Sequence, residues 1–143
     1  MMKVILTGAT GFIGGAVLKR AIADENITSI VTLSRRDLDV EHPKVQNIIQ
    51  RDFLEYDRPL LDQLAGAEAC IWCQGQSKGD REVQVDYPMA AVNAFSDILA
   101  SQLDTGKGFR FVYLSGALSE KDPNKSLWFL GELRRLRVSK HSC

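Results

Sequence analysis

The chain has 143 residues, 45% hydrophobic and 25% charged, and its 18 basic side chains balance its 18 acidic ones. That length suits one globular domain, and a net charge of zero provides no field to gather nucleic acid or an anionic membrane surface. No apolar run nears the roughly 20 residues of a bilayer span, and the one after Met1-Met2-Lys3 is too short for a signal peptide. Three cysteines make no disulfide framework, so the expectation is a cytoplasmic protein in a reducing compartment.

Strand-like runs occupy residues 3–7, 29–34, 45–49, 69–73 and 109–115, several of them continuously apolar, as in a parallel sheet covered on both faces. The first run leads into Thr7-Gly8-Ala9-Thr10-Gly11-Phe12-Ile13-Gly14. A helix should follow, with Ile13, Val17 and Ala21 four residues apart on its apolar face and Ala16 beside them. In such a turn Gly8 lets the chain reverse tightly, Gly11 removes a side chain that would block a pyrophosphate, and Gly14 lets the helix press on the strand. The helix start then turns unpaired N–H groups and its positive dipole end toward phosphates. Gly8, Thr10, Gly11, Phe12, Ile13 and Gly14 are therefore candidate cofactor-binding residues.

Twenty residues past Gly14 the second strand ends in Ser34-Arg35-Arg36, with Asp37 beyond the pair. A carboxylate there would accept the 2′-hydroxyl of NAD; a guanidinium matches the 2′-phosphate of NADP. Ser34, Arg35 and Arg36 thus point to NADP(H) over NAD, and a solvated arginine pair on a turn is the alternative. A short helix is expected over 60–64, starting at Pro59. A longer one is expected from Pro88 to about residue 103, with Asp86 near its start and Ala91, Phe95, Ile98 and Leu99 on its apolar face. Between them lies Cys70-Ile71-Trp72-Cys73. In an extended run those thiols stand about 10 Å apart and face opposite ways, too far for a disulfide. With no second pair for zinc, they read as core cysteines, and no metal site is expected. Asp122-Pro123 resembles the cap and first residue of a last helix through Leu127, Leu130 and Leu133. Strand–helix alternation of this kind predicts an α/β, doubly wound parallel sheet.

The glycine turn resembles the TGxxGxxG fingerprint of extended and atypical short-chain dehydrogenases/reductases, with a Rossmann fold. The rest of the chain is most similar to the NmrA-like group and relatives of the Tat-interacting protein. The resemblance implies an NAD(P)-binding Rossmann domain over residues 1–131, followed by a basic tail over 132–143. It implies Asp52 and Phe53 beside the adenine amino group, with Asp52 as a turn residue the alternative. Cys73, Gln74 and Gly75 would pass the nicotinamide ribose. Ser115 would take the position of the active-site serine, whose hydroxyl holds a substrate carbonyl. In active relatives a Tyr and a Lys four residues later transfer the proton, but no Tyr follows Tyr113, and Leu133 and Arg137 have the spacing without the chemistry. The family's further strands and substrate-binding portion would also be missing, so the expectation is a C-terminally truncated member. Three functions stay open: an oxidoreductase acting on a small-molecule carbonyl substrate, a non-catalytic NADP(H) sensor read by a protein partner, and an inactive fragment.

Overall fold

The computed structural model describes residues 2–74, 85–99, 103 and 108–114. In chain order these form β1 (Met2–Thr7), α1 (Phe12–Ala23), β2 (Ile27–Ser34), β3 (Val45–Ile49), α2 (Arg58–Leu64), β4 (Ala69–Trp72), α3 (Tyr87–Ile98) and β5 (Arg110–Tyr113). All five strands are parallel and lie in the order β3-β2-β1-β4-β5. β1 is central: Ile5 stands opposite Val31 of β2 on one side and Cys70 of β4 on the other.

That order fixes where the helices go. The path from β1 to β2 moves one way across the sheet and the path from β4 to β5 the other, so right-handed connections place α1 and α3 on opposite faces. The core divides accordingly. Val4, Leu6, Ile30 and Ala69 pack with Leu18 and Ala21 of α1. Their neighbours Ile5, Val31, Cys70 and Trp72 turn to the other face, against the leucines of α2, Ala91 and Phe95 of α3 and its C-cap Leu99.

α1 is rotated from the expected face. Gly14, Leu18 and Ala21 are buried, whereas Ile13 and Ala16 are exposed. The cause is the turn before it: a Cβ on Gly14 would lie 1.8 Å from the carbonyl oxygen of Gly8, so the glycine, and not Ile13, must face the strand. α2 starts one residue before Pro59. Asp57 caps it, its carboxylate accepting the Leu60 N–H at 3.0 Å. Asp86 does sit at the N-cap of α3, but its side chain makes no capping hydrogen bond there. Two lysines close helix C-termini. Lys3 Nζ donates to the carbonyls of Gln63 and Ala65 (2.9 Å each) at the end of α2. Lys44 Nζ donates to those of Ile22 (2.8 Å) and Asp24 (3.1 Å) at the end of α1. The expected helix after Asp122, the boundary at 131 and the basic tail lie outside the described residues.

Candidate functional site

β1 has a neighbour from each half of the sheet, and the chain leaves β1 and β4 in opposite directions. The crevice at the carboxyl ends of the strands opens at this switch point, where open α/β sheets bind ligands. Four segments meet there. Gly8 and Thr10 come from the end of β1, Ser34, Arg35 and Arg36 from the end of β2, Phe53 from beyond β3 and Gln74 from beyond β4.

Gly8 has φ +75, and a Cβ there would come within 2.6 Å of the Cys73 backbone. The β1 turn therefore rests directly on the end of β4. Gly11 stands apart, since its Cβ would find only the Gly8 carbonyl oxygen, at an ordinary 3.4 Å. Nothing among the described residues requires glycine there; the missing side chain leaves room above the helix start. Gly11 is also the N-cap of α1, with no side-chain capping bond and no acidic residue in the first turn. The helix N-terminus is thus open to an outside anion.

The pocket between these four segments is small, about 60 Å³. Past Thr10 and Arg36 it continues into a depression of about 370 Å³ lined by Asp37, Leu38, Asp39 and Val40. Arg35 and Arg36 are exposed, and neither guanidinium has an ion-pair partner among the described residues. Beneath them Ser34 is buried, its hydroxyl within reach of the Arg36 carbonyl and the Asn47 side-chain amide. Thr32 reaches the same Asn47 oxygen at 2.9 Å. This node fixes the turn that presents the arginines. Its strand partner Asn47 has no sequence signal, because only the β2–β3 register brings it there.

Phe53 is 1% exposed and closes the pocket floor, with its ring against Tyr87 and Trp72. Asp52 is not among the lining residues; its carboxylate accepts the Leu54 N–H at 2.8 Å, the turn role held open for it. Gln74 Oε1 is buried in the pocket wall and has no hydrogen-bond partner among the described residues. Such an atom costs free energy unless a ligand or water donates to it. Phe12, 96% exposed, and Ile13 flank the helix start. Leu33, Leu38, Asp39 and Val40 also line the site and went unnoticed in the sequence; Leu33 precedes the serine–arginine signal but is itself an ordinary core residue.

Cys70 and Cys73 face opposite sides of the sheet, both as free thiols. Burial pushes both thiols up, and Cys70 furthest. No group of three metal-ligating side chains occurs among the described residues. Gly75 and Ser115 lie outside them, although the Leu114 N–H still bonds the Trp72 carbonyl at 3.0 Å, carrying the β5 ladder to that point. No described helix is long and apolar enough to cross a membrane.

The profile of the NAD dependent epimerase/dehydratase family matches residues 4–123. Protein FMP52, mitochondrial, of Meyerozyma guilliermondii is 41% identical over 51 residues, which are 36% of this chain and 22% of that protein. Among solved structures, the oxidoreductase ylbE of Lactococcus lactis aligns with a TM-score of 0.74 at 20% identity, over 98% of this chain and 61% of that one. The dTDP-glucose 4,6-dehydratase of Bacillus anthracis, solved with NAD, aligns with a TM-score of 0.68 at 12% identity, over 99% and 49%. The chain therefore spans about a fifth of that curated relative and between half and two thirds of these solved chains.

Proposed function

The chain belongs to the NAD dependent epimerase/dehydratase family, and from that premise we propose that its crevice binds NADP(H) in preference to NAD(H). The observation that carries this reading is the end of β2, where two exposed guanidiniums without ion-pair partners among the described residues border the pocket on a turn anchored by buried Ser34. A 2′-phosphate would bridge them, accepting charge-assisted bonds on several oxygens. The pyrophosphate would lie over Gly11 and the N-terminus of α1, and Gln74 would accept a hydrogen bond from a sugar hydroxyl or a water.

One feature favours NAD(H) as the second reading. Asp37 lines the outer depression beside Arg36, within the same turn, and a carboxylate there suits a free 2′-hydroxyl. Calorimetric titration with 2′,5′-ADP and 5′-AMP separates the two. Tighter binding of 2′,5′-ADP, reduced to parity by Arg35→Ala with Arg36→Ala, supports NADP(H). Equal binding in the native chain, or a loss only with Asp37→Ala, assigns the site to NAD(H).

The bound nicotinamide would supply or accept a hydride. The chain's own contribution to chemistry rests on Ser115 as the group that orients a carbonyl, because no Tyr-x-x-x-Lys accompanies it in these 143 residues. The competing reading is binding without turnover, as in an NmrA-like sensor whose protein partner reads the nucleotide's redox state. NADPH oxidation over a panel of aldehydes and ketones tests this. Turnover abolished by Ser115→Ala would make the protein an enzyme; no turnover, with nucleotide bound, supports the sensor. The proposed cytoplasmic location is tested by fractionation, with the mitochondrial name of the yeast relative as the competing outcome.

A further inference from the structure

The carboxyl end of β2 holds more close oxygen pairs than it has hydroxyl protons to fill them. In the parallel register Thr32 stands opposite Asn47 and Ser34 opposite Ile49, so the side chains of Thr32, Ser34 and Asn47 share one face of the sheet. Asn47 Oδ1 lies 2.9 Å from the Thr32 hydroxyl and 2.9 Å from the Ser34 hydroxyl. Ser34 Oγ also lies 2.5 Å from the Arg36 carbonyl oxygen, and Thr32 Oγ1 lies 3.5 Å from that of Gln46. Each hydroxyl has one proton to give. If Ser34 gives its proton to Asn47, two bare oxygens face each other at 2.5 Å. If it gives the proton to Arg36, the bare pair is Ser34 and Asn47, at 2.9 Å. Thr32 and Ser34 are both buried, so bulk water does not relieve either pair.

Turning the Asn47 amide by half a revolution puts Nδ2 where Oδ1 stands, and every contact then has its proton. The two N–H groups serve the two hydroxyls, Ser34 donates to Arg36, and Thr32 donates to Gln46 at its longer reach. The Asn47 oxygen turns outward on an edge strand, where this half-buried residue meets solvent. We propose that Asn47 is a positioning residue for cofactor discrimination: its amide N–H groups hold the two hydroxyls and so commit the Ser34 proton to the Arg36 carbonyl. Arg36 borders both the crevice and the outer depression. A fixed carbonyl there fixes the point from which its guanidinium, and that of Arg35 before it, reaches a 2′-phosphate. Asn47 lines neither space and acts only through Ser34. Its role rests on the NADP(H) reading.

Two measurements on the full chain test it. Without nucleotide, NMR should show the Asn47 side-chain NH2 protons slow to exchange with water and close to the Ser34 methylene protons. Fast exchange without those contacts would place the oxygen inward and overturn the proposal. Titration with 2′,5′-ADP and 5′-AMP reads the consequence. Asn47→Leu, which keeps the shape and removes both donors, should weaken 2′,5′-ADP about tenfold, the worth of one charge-assisted bond, and leave 5′-AMP within about twofold. Ser34→Ala should lower the same ratio, and adding Asn47→Leu to it should lower the ratio little further, since both act on one carbonyl. A merely structural role would weaken both nucleotides alike, and that result overturns the assignment. So does a native preference for 2′,5′-ADP that survives in Asn47→Leu, which would leave the NADP(H) reading standing. Parity in the native chain would overturn that reading and this role with it. Should Asn47→Leu fail to fold, the NMR contacts and the Ser34→Ala ratio decide together, and either one failing overturns the proposal.

Discussion

Gly11 and Gly14 stand three residues apart in one turn, yet different neighbours constrain them. At Gly14 a methyl group would collide with the Gly8 backbone, so Gly14→Ala should lower stability by on the order of 3 kcal/mol in urea unfolding. At Gly11 it would meet the protein only at 3.4 Å; Gly11→Ala should cost about 1 kcal/mol or less while sharply weakening nucleotide binding. If both variants lose stability alike, the turn is built for packing and not for a ligand. The glycine spacing and the packing role of Gly14 were legible in the sequence; that Gly14 packs on the Gly8 and Ala9 backbone of its own turn was not. Cys70 shows the same limit. Its pairing with Cys73 could be dismissed from strand periodicity alone, while its inertness comes from total burial between β1, β5 and the α2–α3 layer. Iodoacetamide at pH 8 should leave Cys70 unmodified in the native chain and alkylate it on unfolding; native-state modification would contradict its burial.

The elements themselves were largely readable, since all five strand runs begin and end within two residues of the observed strands. Periodicity locates buried runs well and helix rotation poorly. α1 carries apolar residues on much of its surface, so Ile13 and Val17 looked like part of the buried face until Gly14 was seen to be pinned to the Gly8–Ala9 turn. The cap of α2 was missed for a local reason: Pro59 drew attention to the first turn, and Asp57 lies outside it. Asp57→Ala should therefore cost about 1 kcal/mol, within the range for lost caps, and Asp57→Ser should recover most of it. A silent Asp57→Ala would show that Pro59 alone starts the helix. The end of β2 was readable as a serine and two arginines, but its support by Thr32 and Asn47 came only with the register of β3.

For the whole molecule, strand–helix alternation pointed to the doubly wound parallel sheet, while the β3-β2-β1-β4-β5 order, and with it the crevice over β1, came with the structure. Stability of the whole should also fall at alkaline pH. Burial holds the Cys70 thiol and the Tyr56 phenol protonated in the native state well above their ordinary ranges. Above pH about 8.5 the unfolded chain releases the thiol proton that the native chain keeps, so the unfolded state binds fewer protons and stability declines with rising pH. The decline is about 1.4 kcal/mol per pH unit for the thiol alone, and it steepens once pH passes the ordinary phenol range near 10. Cys70→Ala should flatten the limb below pH 10; an unchanged limb would assign it to other groups. The central claim, that the crevice is a dinucleotide site, is tested most directly by thermal unfolding of the full chain with and without NADPH. At 100 times its dissociation constant the ligand adds about 2.7 kcal/mol, which for a chain of this length raises the midpoint by roughly 9 °C. A rise of that order, smaller with NADH and lost in Gly11→Ala, is the predicted result. A cooperative transition unmoved by either nucleotide would contradict it.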